Sequence, residues 1–107
     1  MATSAEYIEF VCEQIHRAGE IRYRKMFGEY MVYVNDKPIL LVCDNTVYVK
    51  KREEIHKIMM GSALGIPYDG SKEHYILDIE NSELCCEVIR LLEPVIPVPK
   101  SRNELTK

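Results

Sequence analysis

The residues of this chain whose types could do chemistry are a basic triplet, Lys50-Lys51-Arg52, with three histidines, four cysteines and seven tyrosines. The triplet stands where the sequence predicts the start of a second helix, over residues 52–60. Cationic side chains beside the free N–H groups of a helix start make a candidate anion-binding site for a phosphate or an acidic partner. Solvated surface charge is the plain alternative, because exposed lysines and arginines are ordinary. Arg22 and Arg24 share one face of a predicted strand, with Arg17 and Lys25 close in sequence. They could meet the backbone of a nucleic acid. With Phe27, Tyr30 and Tyr33 nearby, Arg22, Arg24 and Lys25 form the candidate interaction set.

Catalysis needs an activated nucleophile, or a general base with a partner to orient it. His16 falls on the outer side of the first predicted helix, His56 on the second, and His74 opens a strand. None has a readable partner, so the chain is not expected to be an enzyme. Cys12, Cys43 and the adjacent Cys85 and Cys86 contain no CxxC pair and no metal-binding rhythm. Neighbouring helix residues point about 100° apart, so a bond between Cys85 and Cys86 would break their helix. All four are expected as reduced thiols, with Cys85 beside the apolar stripe and Cys86 turned to water. No catalytic residue, metal or cofactor is expected.

A chain of 107 residues with 47% apolar and 29% charged residues fits one globular domain. Its formal net charge of −3 argues against a dedicated nucleic-acid binder, which is usually basic. Glu6, Glu9 and Glu13 exclude a basic lead into a signal core. Apolar runs such as Ile39 to Cys43 are far below the ~20 residues of a membrane span. A cytoplasmic location without membrane contact is expected.

The elements that must position these groups read as follows. Thr3-Ser4-Ala5-Glu6 fits a capping box, with Thr3 as the cap. Tyr7, Ile8, Val11, Ile15 and Ala18 continue at helical spacing, and Gly19 suits a left-handed stop. Strands follow over residues 21–26, 29–34, about 38–43 and 46–50, with a bend at Phe27-Gly28. Asn35-Asp36 and Asp44-Asn45 tolerate the positive φ of tight turns. Residues 61–73 read as a loop, and 74–79 as a fifth strand. Asn81 or Ser82 caps a last helix with stripe Leu84, Val88, Leu91, Leu92 and Val95. The order α-ββββ-α-β-α predicts a two-layer α+β fold: an antiparallel five-stranded sheet with three helices. The domain covers residues 1–99, followed by a flexible polar tail over 100–107.

Sheets with one wet face alternate between apolar and polar residues. Ile39-Leu40-Leu41-Val42-Cys43 does not, and Tyr30 to Val34 hardly does. Both faces of the sheet centre are therefore expected to be apolar, with helices or a second copy covering the far one.

Several of these residues carry a family likeness. Thr3 to Tyr7, Phe10, the block Arg24-Lys25-Met26-Phe27-Gly28, Tyr30, Tyr33, Tyr48-Val49-Lys50, Pro67-Tyr68, Lys72 and Tyr75 resemble the N-terminal domain of the TfoX/Sxy competence regulators. The resemblance spans about residues 3–98, and Met-Phe-Gly is its most specific part. It implies a regulatory module acting through protein contacts in transcription, with no catalytic residues to carry over. Two features depart from it. The chain is expected to stand alone without the regulators' C-terminal domain, which puts a two-domain competence role in doubt. Lys50-Lys51-Arg52 also replaces the Asp, Ser or Asn expected to cap the second helix.

The resulting expectation is a non-enzymatic interaction module that forms a homodimer through the far side of its sheet. The alternative is a small sensor of a ligand or anion. A contact module should expose an apolar sheet face and lack an ordered pocket. A sensor should show a cleft where tyrosines converge on Lys50 to Arg52.

Overall fold

The computed structural model describes residues 3–26 and 29–99. Helix α1 spans Ala5–Gln14, and one 3₁₀ turn at His16–Ala18 follows it. Then come β1 (Ile21–Met26), β2 (Glu29–Val34), β3 (Lys37–Cys43) and β4 (Thr46–Lys50). A second 3₁₀ turn at Glu53–Ile55 leads to β5 (Leu64–Gly65), β6 (His74–Ile76) and α2 (Ser82–Leu92). The sheet is antiparallel throughout, in the order β1-β2-β3-β4-β6-β5.

The two-layer α+β class is as expected, and the details differ. Among the described residues the sheet has six strands and the chain two α-helices, against the five and three predicted. The predicted helix over 52–60 is the short 3₁₀ turn followed by irregular turns. Ile55 and Met59 still reach the core, linked by the Met59 N–H donating to the Ile55 carbonyl at 3.0 Å. One helical turn buries both side chains, and Arg52 supplies no side-chain cap to start a longer helix. The sixth strand, β5, is two residues inside the predicted loop. The expected bend at Phe27-Gly28 and the polar tail lie outside the described residues.

Both interior turns behave as read. Asn35, Asp36, Asp44 and Asn45 all have φ between 51° and 69°. Two-residue loops of this kind match the right-handed twist of the strands they join. The Asn35 side chain also accepts from the Glu20 N–H at 2.9 Å. At Gly19, φ is 152° and an added Cβ would lie 2.9 Å from the Asn35 side chain. Gly19 thus ends the first helical segment and lets the hairpin turn sit against it.

Register decides which side chains meet the helices. Val32, Leu40, Val49 and Tyr75 line one cross-strand row, with Tyr30, Val42 and Val47 in the next. They join Ile8, Val11 and Ile15 of α1 and Cys85, Val88, Ile89 and Leu92 of α2 in the core. Burying each such aliphatic side chain stabilises the fold by about 1.5–3 kcal/mol. Between Val32 and Tyr33 the β2–β3 register shifts, leaving Ile39 unpaired. This bulge sends Ile39 into the core beside Leu40. Much of the missing alternation at Ile39-Leu40 is therefore a bulge, not the mark of a second covered face.

The first cap also differs. Ser4, not Thr3, accepts from the Tyr7 N–H at 3.1 Å. Thr3 is buried instead, where its hydroxyl donates to Glu29 at 3.0 Å and accepts from the Asn45 N–H at 3.1 Å. At α2, Asn81 is the cap, accepting from the Leu84 N–H at 3.0 Å.

Asn35→Ala is expected to lower unfolding free energy by about 1–2 kcal/mol, through the lost hydrogen bond and the strained left-handed backbone. Asn35→Gly, which relieves the backbone alone, is expected to cost less. Urea denaturation followed by circular dichroism measures both.

Candidate functional site

The face of the sheet away from the helices has its own pattern. Arg24, Met31, Leu41, Tyr48 and Ile76 form one cross-strand row. Met31, Leu41, Tyr48 and Ile76 are each half-buried, and both helices supply the core on the opposite side. Next to that row lie Arg22, Tyr33 and Pro38, and further along Lys50 and His74. The far face is apolar at its centre, with Arg22, Arg24 and Lys50 at its margins and Glu29 in the neighbouring row with Cys43 and Thr46. Gly65 lets the aromatic row extend over β5, since a Cβ there would sit 3.1 Å from both Tyr48 and Ile76.

The candidate interaction residues divide between two faces. Arg22, Arg24 and Lys25 are exposed on β1, an edge strand of the sheet. Arg22 pairs with Asp36 at 2.6 Å and lies 5.7 Å above the half-buried Tyr33 ring. That pair is more than half exposed on both sides, so it contributes about 0–1 kcal/mol. Tyr30 faces the helices and is buried, with Tyr23 edge-on at 5.3 Å. Phe27 lies outside the described residues.

The candidate anion-binding residues also separate. The turn at Glu53–Ile55 is too short to offer a helix start, so any grip on an anion comes from side chains alone. Lys51 turns to Glu73 at 3.3 Å, and Arg52 to Glu54 at 3.0 Å. That arginine holds the Glu54 carboxyl below its usual range, mainly by hydrogen bonding. Lys50 has no ion pair among the described residues.

Lys50 and Arg52 border a cleft of about 430 Å³ at the start of β3 and the end of β4. Its walls include Met31, Leu41, Tyr48, Tyr68 and His74, closed by the chain after α2 at Ile96, Pro97 and Pro99. Tyr48 stands edge-on to His74 at 6.3 Å. The Tyr48 phenol is pushed up by burial first, then by Cys43, Asp44 and Glu29. His74 is buried, and its Nδ1 lies 2.8 Å from the Lys72 carbonyl. A carbonyl only accepts, so Nδ1 carries the proton there and Nε2 is the nitrogen left for other contacts. Sequence reasoning had Lys50, Arg52, Tyr48, Tyr68 and His74 in hand but missed the walls from Met31 and the proline segment.

The remaining candidates for chemistry are engaged locally. His16 Nδ1 donates to the Glu13 carbonyl at 2.8 Å. His56 Nδ1 lies 3.4 Å from the Tyr75 hydroxyl, beside a shallow hollow lined by Lys51, Arg52 and Glu53. No group of three His, Cys, Asp or Glu side chains able to hold a metal occurs among the described residues. All four cysteines are free thiols. Burial pushes Cys85 up to about 12, helped by Cys86 and Asp78, and Cys43 up to about 11, helped by Glu29 and Asp44. Cys12 is raised too, by burial and then Glu9. Cys86 is half-buried on the outer side of α2.

The pattern of the TfoX N-terminal domain matches residues 13–76, well over half of the chain. The chain belongs to the TfoX N-terminal domain family. It is also similar to an uncharacterized 12.7 kDa protein in the trpE 5′ region of Spirochaeta aurantia. The two are 32% identical over 109 residues, covering 100% of this chain and 95% of that protein. The family match takes in β1 to β6 and every polar group of the cleft. Helix α2 and the proline segment lie beyond it.

At pH 8, Cys86 is expected to label first with a thiol reagent, while Cys43 and Cys85 stay protected until unfolding. Mass spectrometry of peptides from native protein reads the order, and early labelling of Cys85 would contradict the placement of α2. Because burial raises both thiols above the ordinary value of 9.0, the stability they contribute is complete below that pH. It is lost as pH climbs through about 11 to 12, so the urea midpoint should fall on that alkaline limb.

Proposed function

We propose that this TfoX N-terminal domain is a non-enzymatic regulatory module that works by contact, in the cytoplasm, and that its first partner is a second copy of itself. The observation that carries this reading is the row Met31, Leu41, Tyr48 and Ile76, apolar and half-exposed on a face that neither helix covers. A two-fold contact centred there sets uncharged side chains against uncharged side chains. Arg24 and Arg22, the latter paired with Asp36, remain exposed at the margin, where they can steer acidic partners. In support of a non-catalytic role, the three histidines hold carbonyls or a tyrosine hydroxyl rather than a nucleophile with an orienting carboxylate. No helix among the described residues is long and apolar enough to cross a membrane.

A second reading, a sensor of a small anion, is favoured by the cleft itself. Tyrosines do converge there on Lys50 and Arg52, the feature that separates a sensor from a plain contact module.

Sedimentation velocity at micromolar concentration should give twice the 12.5 kDa chain mass. Leu41→Asp, at the centre of the face, should return the protein to monomer with its circular dichroism unchanged. A wild-type protein that stays monomeric throughout would remove the self-association proposal.

A further inference from the structure

Charge makes the cleft unlike the rest of the molecule. The chain carries 17 acidic and 14 basic residues. Yet the charged residues lining the cleft are Lys50 and Arg52, with His74 beside them and no Asp or Glu in the walls. In an acidic protein, the charged side chains lining this apolar hollow are both cations, and the Glu54 partner of Arg52 stands outside the walls. Typical small-molecule sites run from about 300 to 1,000 Å³, mostly apolar with a few convergent polar groups. The volume of about 430 Å³ falls in that range.

We propose that this cleft binds a small amphipathic anion: a compact oxyanion head on an apolar, ring-sized body. The inference rests on the sensor reading and adds the ligand's chemical class. The head belongs at Lys50 and Arg52. Lys50 has no competing ion pair among the described residues. The Arg52–Glu54 pair is about one-third exposed on each side, weak enough for a ligand oxyanion to displace. His74 meets the head's neighbourhood with Nε2, since Nδ1 is held by the Lys72 carbonyl. The body belongs against Met31, Leu41, Ile96 and the Tyr48 and Tyr68 rings. Pro97 and Pro99 have fixed φ, so that wall loses little freedom when a ligand arrives. Neither half of the site explains the other. A bare phosphate would leave the apolar walls empty, and a neutral hydrocarbon would leave the cations unmatched.

The test is an amide NMR titration of the whole chain with four probes. These are 3-phenylpropionate, phenyl phosphate, 3-phenylpropionamide and inorganic phosphate. The two organic anions should give saturable shifts at residues 39–41, 48–52, 96 and 98, and the tighter of them names the head. The amide and inorganic phosphate should each bind about tenfold weaker or less. Lys50→Gln with Arg52→Gln, both at the surface, should weaken the anions about tenfold without moving the melting temperature. If inorganic phosphate binds as tightly as the organic anions, the amphipathic class is wrong while anion sensing stands. Equal binding of the amide overturns the anion and leaves an apolar pocket. No saturable shift with any probe, or shifts confined elsewhere, ends both the class and the sensor reading.

Discussion

The structure depends on the register of β2, β3 and β4, which two short turns and the bulge at Ile39 impose. Asn35-Asp36 and Asp44-Asn45 each hold both residues in the left-handed region. Loops that tight leave no slack, and one residue of slippage would exchange the two faces of a strand. With the register set, Val32, Leu40 and Val49 must face the helices, and Met31, Leu41 and Tyr48 must face away. The apolar far face thus follows from the same turns and bulge that build the core.

Polar bonds then hold the helix layer to that hairpin stack. Thr3 and Glu29 bring the start of α1 to the Asp44-Asn45 turn, where Glu29 also accepts from the Asp44 N–H at 3.0 Å. Gln14 donates to the Ile79 carbonyl at 2.9 Å, and Ser82 donates back to the Gln14 carbonyl at 2.6 Å. At the other end, Lys37 in the β2–β3 hairpin meets the Glu93 carboxylate at 3.1 Å, and that pair is mostly shielded. This last tie also fixes where the chain leaves α2, and hence where Pro97 and Pro99 close the cleft.

What the sequence disclosed follows the range of the forces involved. Turn residues, the Asn81 cap and the α1 stripe are local signals, and they were legible. On α2 the expected stripe held at Val88 and Leu92, while Cys85 and Ile89 are buried, Leu84 and Leu91 half-buried and Val95 exposed. Thr3 fits a capping box by pattern, but a buried tertiary network takes its hydroxyl, which no local rule reports. Ile55 and Met59 mimic a helical stripe because a single turn already aligns them. The missing cap at Lys50 to Arg52 was the legible warning against a full helix. Strand β5 is too short to leave a pattern, and it exists because the Ile76 N–H finds the Ala63 carbonyl at 2.8 Å. The far face was legible as an excess of apolar residues, though Ile39 owes its place to a bulge. The cleft as a whole was not, because Met31, His74 and Pro97 meet only through the sheet and the exit from α2.

The two proposed uses of the far face are not independent, because Met31, Leu41 and Tyr48 serve both. A ligand body resting on these side chains changes the surface that a second copy would cover. Thermodynamic linkage then requires reciprocity: whatever factor the ligand applies to association, association applies to the ligand. A ligand seated wholly inside the cleft would fill a hollow at the contact and favour association. One protruding past Tyr48 and Tyr68 would hold the copies apart. The sign of the coupling is therefore set by the length of the ligand's apolar body, so that ligand size would be read out as oligomeric state.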